Sequence, residues 1–255
     1  MHILVTNDDG ILSPGLLALA NAMKPLGKVT VLAPDRNWTA SGHVKTLERP
    51  LRVREAALFD GSAALSTDGA PSDCVALALL GVLPEKVDLV VAGVNPGENV
   101  GHDVTYSGTV TAAMEAAIWG LPGVAVSLQL PEDPPRLLDF QPAAQVAQEV
   151  VRRVMEFGLP PGTLLNVNVP YRPLEEIKGL RVTRQGLRIY RDELVKRYDP
   201  RNRPYYWIGG EAPSGVLEDG TDFGVLAQGY VSVTPLQLDL TAWQVMDTLR
   251  SWGWD

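Results

Sequence analysis

Met1-His-Ile-Leu-Val-Thr-Asn-Asp-Asp-Gly10 is the stretch whose reading decides the fold. Ile3, Leu4 and Val5 form a short apolar run of residues suited to a strand. The run stops at Asn7-Asp8-Asp9-Gly10, a polar turn. Ser13-Pro14 then starts a helix, with Ser13 suited to the N-cap and Pro14 to the first helical position. Strand, acidic turn and helix together open a doubly wound α/β unit. In open parallel sheets, ligands bind beyond the carboxyl ends of the strands. Asp8 and Asp9 therefore stand where chemistry is expected.

Adjacent residues on a strand point to opposite faces. The two carboxylates can share a site only if the chain turns there, which Gly10 permits. Two close carboxylates repel, so one carries a proton or both are held by a cation. Oxygen ligands favour Mg²⁺, Mn²⁺ or Ca²⁺. The chain has only three histidines, His2, His43 and His102, which argues against a His-rich zinc site. The competing reading makes Asp8 and Asp9 an Asx-turn and a helix-start charge.

Outward from this turn the elements alternate. Strands are expected at Lys28–Ala33, Val87–Val94, Gly123–Leu128 and Thr163–Val169, and helices after Ser13, from Asp68-Gly-Ala-Pro71-Ser-Asp73 through Val75–Leu83, at Thr109–Trp119 and at Gln141–Phe157. Leu51–Arg54 and Ala63–Ser66 read as short strands of an antiparallel excursion. Val87–Val94 is nearly all apolar, as a central parallel strand should be. The pattern gives a doubly wound, mostly parallel α/β core over residues 1–170. Residues 171–255 hold a strand at Gly179–Gln185 and an Arg- and Tyr-rich hairpin arm around 187–211. A short helix at Thr221–Gln228, a last strand at Tyr230–Thr234 and a closing helix around 242–252 follow. The arm and closing helix read as an appendage for oligomerisation.

Bulk properties narrow the function. The net charge of −8 argues against a general nucleic-acid surface, but not against a small anion held by a metal or by backbone N–H groups. The single cysteine, Cys74, rules out an internal disulfide and suits a reducing compartment; it opens an apolar helix face and reads as core. No apolar run approaches the ~18–20 residues of a membrane span. Met1-His2 leads straight into a strand without a signal-peptide pattern, so a cytoplasmic location is expected.

Three more segments can contribute chemistry. Gly93-Val-Asn95-Pro-Gly97-Glu-Asn99-Val-Gly101 follows the central strand, and its glycines let backbone N–H groups approach an anion. Asn95 offers a neutral oxygen to a metal. The loop lacks both Gly-Lys-Ser/Thr and G-x-G-x-x-G, which weakens a P-loop or dinucleotide site. Tyr106-Ser107-Gly108-Thr109 enters a helix and could cradle a phosphate, or Ser107 or Thr109 could be an ordinary cap. Thr39-Ala-Ser41-Gly42-His43 brings hydroxyls beside the first turn. His43 and His102 could be acid or base, or simply loop histidines.

Together these residues suit a hard divalent cation and a phosphate. The simplest chemistry is hydrolysis of a phosphomonoester by metal-activated water. An aspartyl-phosphate route ranks lower, because the haloacid-dehalogenase pattern separates its aspartates by one residue. A non-catalytic nucleotide-binding regulator and a Rossmann oxidoreductase are the competing classes.

The segments I-L-V-T-N-D-D-G, A-P-D-R-N, G-V-N-x-G-x-N-x-G and S-G-T-V-x-A-A-x-E resemble the stationary-phase survival protein SurE family, metal-dependent 5′-nucleotidases. The likeness spans the chain and includes A-P-S-D-C-V, L-N-V-N-V-P, V-T-R-Q and G-Y-V-S-V-T-P. It implies a Rossmann-like core, one divalent cation per subunit and release of phosphate from nucleoside 5′-monophosphates. Some members also act on 3′-nucleotides or short polyphosphate. The resemblance further implies dimers or tetramers in which the C-terminal hairpin and last helix reach across to partner subunits. By motif, the metal ligands are Asp8, Asp9, Thr39 and Asn95. The family usually has serine at the position of Thr39, and Ser41 is the alternative hydroxyl. Ser107, Gly108 and Thr109 match the phosphate-holding turn, with Asn99 beside it. Asp8 and Asp9 are the catalytic candidates, and Asp9 is preferred as base or nucleophile.

Overall fold

The computed structural model describes residues 1–131 and 133–254, with the backbone alone at 190–192 and 210–213. The opening apolar run is β1 (His2–Thr6), buried along its whole length. Its neighbours are β2 (Lys28–Pro34) and β5 (Leu89–Pro96), both parallel to it. The sheet continues through β6 (Gly123–Leu128) and β7 (Thr163–Val169), again parallel. Beyond β2 lie β4 (Ala63–Thr67), parallel to it, and β3 (Val53–Ala57), antiparallel to β4. The excursion expected at 51–66 is thus the far edge of the main sheet. At the other edge β11 (Val231–Gln237) pairs antiparallel with β7, and β8 (Leu180–Val182) pairs parallel with β11. The order is β3-β4-β2-β1-β5-β6-β7-β11-β8, so β5 is central as its composition requires.

Period-two alternation sorts the core. Ile3 and Val5 pack on the face covered by α1 (Pro14–Met23) and α4 (Gln141–Phe157), while Leu4 packs on the face covered by α2 (Pro71–Leu77) and α3 (Gly108–Ile118). In β5, Leu89 and Val91 take the first face, and Val90 and Ala92 the second. Each fully buried Leu or Ile contributes about 1.5–3 kcal/mol. Helix α4 shows how the pattern works. Ala143, Val146, Ala147, Val150, Val151 and Val154 are buried on one stripe, and Glu149 pairs with both Arg152 and Arg153 outside. Gly15 lets α1 lie directly on β5, since a Cβ there would sit 2.2 Å from the Val94 carbonyl oxygen.

Local details depart from expectation where tertiary partners intervene. Ser13 is at the N-cap, but its side chain makes no capping bond. Helix α2 begins at Pro71 rather than Asp68, because the Asp73 carboxylate accepts from the Ala70 N–H at 2.9 Å and fixes the start there. Cys74 is buried, and burial pushes its thiol well above the ordinary value.

The last third adds its strands to the core sheet and then leaves it. β9 (Arg188–Tyr198) and β10 (Pro204–Gly215) form a separate two-stranded antiparallel sheet. Leu194, Tyr206, Trp207 and Ile208 on this arm are exposed. α5 (Asp222–Ala227) packs beside β11, and α6 (Trp243–Arg250) contains no buried residue. Among the described residues, no helix is long and apolar enough to cross a membrane.

Candidate active site

Asn7 does the turn-forming work that could have fallen to the aspartates. Its amide donates to the Gly10 carbonyl at 3.0 Å and accepts from the Gly10 N–H at 3.2 Å. Gly10 adopts φ +100°, and a Cβ there would press on the Arg36 backbone. The Asx-turn explanation for Asp8 and Asp9 is thereby removed, and both carboxylates are left for another task.

Asp8 continues the face of Leu4 and Thr6 and meets the start of α3. Its Oδ1 accepts the Thr109 hydroxyl, and the backbone N–H groups of Thr109 and Gly108 support the carboxylate. The helix N-terminus favours negative charge there. Burial lifts the Asp8 carboxyl above its ordinary value, and these donors pull against that rise. Asp9 lies toward the α1 side, half-buried, with Oδ2 shielded and without a protein partner. Burial, and secondly the charge of Asp8, push its carboxyl up to about 7.

The other segments converge on this turn. β1 and β5 are in register at Thr6 and Ala92, so Asp8 and Asn95 leave the sheet from adjacent strand ends. Pro96 and Asp9 line the same cleft. The Asn95 side-chain NH₂ donates to the Gly97 carbonyl at 2.7 Å, which leaves its amide oxygen as the remaining polar atom. The loop after β2 is tied in from both ends. Trp38 N–H donates to the Asp8 carbonyl at 2.7 Å, and Gly42 N–H to the Tyr106 carbonyl at 2.9 Å. Between these ties, Ser41 Oγ is buried without a partner, whereas Thr39 is exposed and its N–H is held by Asn37.

The helix-start segment packs against Asp8. Ser107 is the N-cap of α3 and accepts from the Val110 N–H at 3.1 Å, keeping its own proton for donation. Gly108 and Thr109 hold Asp8. Asn99 also faces inward. Its NH₂ donates to Ser127 Oγ at 2.8 Å, its N–H donates to Asn168 Oδ1, and its carbonyl accepts from Asn166 and Asn168. This network locks the glycine-rich loop onto β6 and β7. Asn166 and Asn168 are spaced by two along a strand and so share one face, a period that could have flagged them.

His43 is a loop anchor. Its Nε2 lies 3.0 Å from Glu115, which also accepts from Lys45 and from the Trp119 indole. His102 is exposed in a 3-10 turn over Gly101–Thr105. Burial pushes the Glu115 carboxyl up, but its three donors outweigh burial and bring it down to about 2. A depressed carboxylate stabilises the fold above its unfolded value, near 4.5, and that contribution disappears as pH falls toward 2. Glu115→Gln should therefore cost on the order of 2 kcal/mol at pH 7, allowing for the exposed Lys45 partner. Thermal melts should show the gap from the parent closing between pH 4.5 and 2. A variant with an unchanged midpoint at pH 7 would show that this anchor contributes nothing.

The site's other face is anchored to the hairpin arm. Arg188, at the start of β9, reaches Glu98 at 3.2 Å and Asp103 at 3.1 Å. Asp222 accepts from the N–H groups of Gly101 and Gly186 at 2.8 and 2.7 Å.

The donor set fits a hard cation. Asp9 Oδ2 and Ser41 Oγ are shielded without partners, and two neighbouring carboxylates are both raised. Among the described residues there is no group of three or more His, Cys, Asp or Glu that could hold a metal. A cation here would therefore rest on two carboxylates completed by neutral amide and hydroxyl oxygens.

The chain is similar to known proteins over its whole length. The family described as Survival protein SurE matches residues 3–192. A 5′-nucleotidase SurE of Chloroflexus aggregans is 52% identical over 255 residues, covering all of both chains. A 5′-nucleotidase SurE of Herpetosiphon aurantiacus is 54% identical, covering 100% of this chain and 99% of its own. The crystal structure of the Sure protein from Aquifex aeolicus superposes with a TM-score of 0.83 at 43% identity. It covers 99% of this chain and 100% of its own.

Proposed function

The chain belongs to the SurE family, and from that premise we propose how it works as a 5′-nucleotidase, releasing phosphate from nucleoside 5′-monophosphates. The observation that carries the reading is the Asp8–Asp9 pair just past the carboxyl end of β1, with Asp9 Oδ2 shielded and partnerless and Asn95 at the end of the adjacent parallel strand. Asp8, Asp9 and Asn95 hold one divalent cation, Mg²⁺ or Mn²⁺. A hydroxyl completes the set, Thr39 by motif or Ser41 by its shielded, partnerless oxygen. When bound, the cation lowers the pKa of water and offsets charge on the phosphoryl oxygens.

The protein groups divide the remaining work. Thr109 and the Gly108 N–H orient Asp8, so its carboxylate needs no rearrangement during reaction. Asp9, whose Oδ2 is shielded and without a protein partner, is the carboxylate that takes the proton of the attacking water. Ser107 and Ser41 donate hydroxyl protons to phosphate oxygens. Asn99 acts through the loop it anchors. 3′-Nucleotides and short polyphosphate present the same terminal phosphate and are secondary substrates. The exposed apolar residues of the arm and of α6 support self-association into a dimer or tetramer.

Phosphate release from AMP, GMP, CMP and UMP, with Mg²⁺ or Mn²⁺ and with excess chelator, tests the proposal. Turnover should require the cation. The cation alone should also raise the thermal midpoint, by about 2.7 kcal/mol of stabilisation at a hundred times its Kd. Full activity in chelator would overturn the metal reading, and unchanged nucleotide with either cation would leave only a binding protein.

A further inference from the structure

A groove of about 830 Å³ opens from Asp9 on the side away from α3. That volume falls in the ~300–1,000 Å³ range of small-molecule sites. Its walls come from five separate segments: the turn into α1, the loop after β2, the β3–β4 turn, the end of β5 at Pro96 and the loop before α4. Three large apolar side chains at its mouth lack cover from the chain, Leu12 at 64%, Phe59 at 75% and Leu137 at 84% exposure. Phe140 closes the floor, and Arg36 and Arg136 bring guanidinium groups to the rim.

We infer that this groove receives the nucleoside part of the substrate, with Phe59 and Arg136 gripping the base. The assignment rests on the phosphohydrolase reading above. Asp9 lines this groove, so a phosphate held at the aspartate pair places its leaving alcohol at the groove's entrance. A nucleoside is a flat aromatic ring joined to a polar sugar. An aromatic ring with a nearby guanidinium suits such a base by stacking and by donating to its carbonyl or ring-nitrogen acceptors. Stacking is also tolerant of base identity, because every base has a π-face.

Ribose 5-phosphate carries the same sugar and phosphate without the base, so it isolates the groove's contribution. Phe59→Ala and Arg136→Ala should each lower kcat/KM for GMP about tenfold, almost entirely through KM. Turnover of ribose 5-phosphate should stay within twofold of the parent. Equal losses on both substrates, or no loss on GMP, would overturn the assignment. A change of oligomer mass in either variant would do the same, since it would make the groove a contact between copies. Calorimetry with guanosine, which has no phosphate, separates the two readings. Guanosine binding that falls in Phe59→Ala while the parent releases no phosphate would sink the hydrolase reading and keep the groove. Guanosine binding unchanged by both substitutions would sink the groove alone.

Discussion

Asp8→Asn is expected to reduce nucleotide turnover at least about a thousandfold while leaving a folded protein. The effect is large because Asp8 is tightly held within the site. Its carboxylate is buried at 2% exposure, fixed by the Thr109 hydroxyl and set against the first N–H groups of α3. Removing its charge takes half the formal negative charge from a cation site that has only two carboxylates. Losing an outer-shell partner typically costs ~10–100-fold, so a direct ligand should exceed that. Stability should change little, for two opposed reasons. The asparagine NH₂ meets the Gly108 N–H, donor against donor, at about 1–3 kcal/mol. Against this, a buried charge is removed, and burial is what raises this carboxyl. A thermal midpoint within a few degrees of the parent, with turnover lost, is the expected pair of results. A variant that keeps more than a tenth of parental activity would remove Asp8 from the chemistry.

Much of this site can be read from local pattern. The strand-turn-helix grammar of residues 2–14 places the aspartates at a strand's carboxyl end. The all-apolar run before Asn95 puts that residue at the end of the central strand. Alternation in β1 goes further, since Ile3 and Val5 face one layer and Leu4 the other. The opaque part lies in contacts between residues far apart in sequence. Asp222 meets Gly101 across 121 positions, and Glu115 meets His43 across 72. Nothing in the local composition of α5 marks Asp222 as more than a first-turn charge. Glu115 sits among alanines with no partner in its own helix other than Trp119. The inward turn of Asn99 is hidden for the same reason, because its partners Ser127, Asn166 and Asn168 belong to two later strands.

The helix-start segment carries the second large effect. Gly108→Ala should lower turnover about a hundredfold or more and weaken cation binding in parallel. Gly108 does not have a left-handed backbone conformation, and it is the first residue of α3. On helix propensity alone, alanine would be neutral or stabilising by up to about 1 kcal/mol. The obstacle is the neighbour. A Cβ at 108 would stand 2.7 Å from the Asp8 Cβ and 2.9 Å from its Oδ2. The nearer contact is with the root of the Asp8 side chain, which a rotamer change cannot move. The Asp8 backbone cannot give way cheaply either, because its carbonyl is held by the Trp38 N–H. Asp8 must therefore shift as a unit, and a displacement near 1 Å at a reacting centre can cost ~100-fold. The steric conflict outweighs the propensity gain, so the thermal midpoint should fall as well. A variant that still melts cooperatively, with a weakened cation titration and turnover, would identify Gly108 as space reserved for Asp8. Parental cation affinity and turnover in Gly108→Ala would mean that Asp8 is free to move, and that its grip by α3 is not what readies the site.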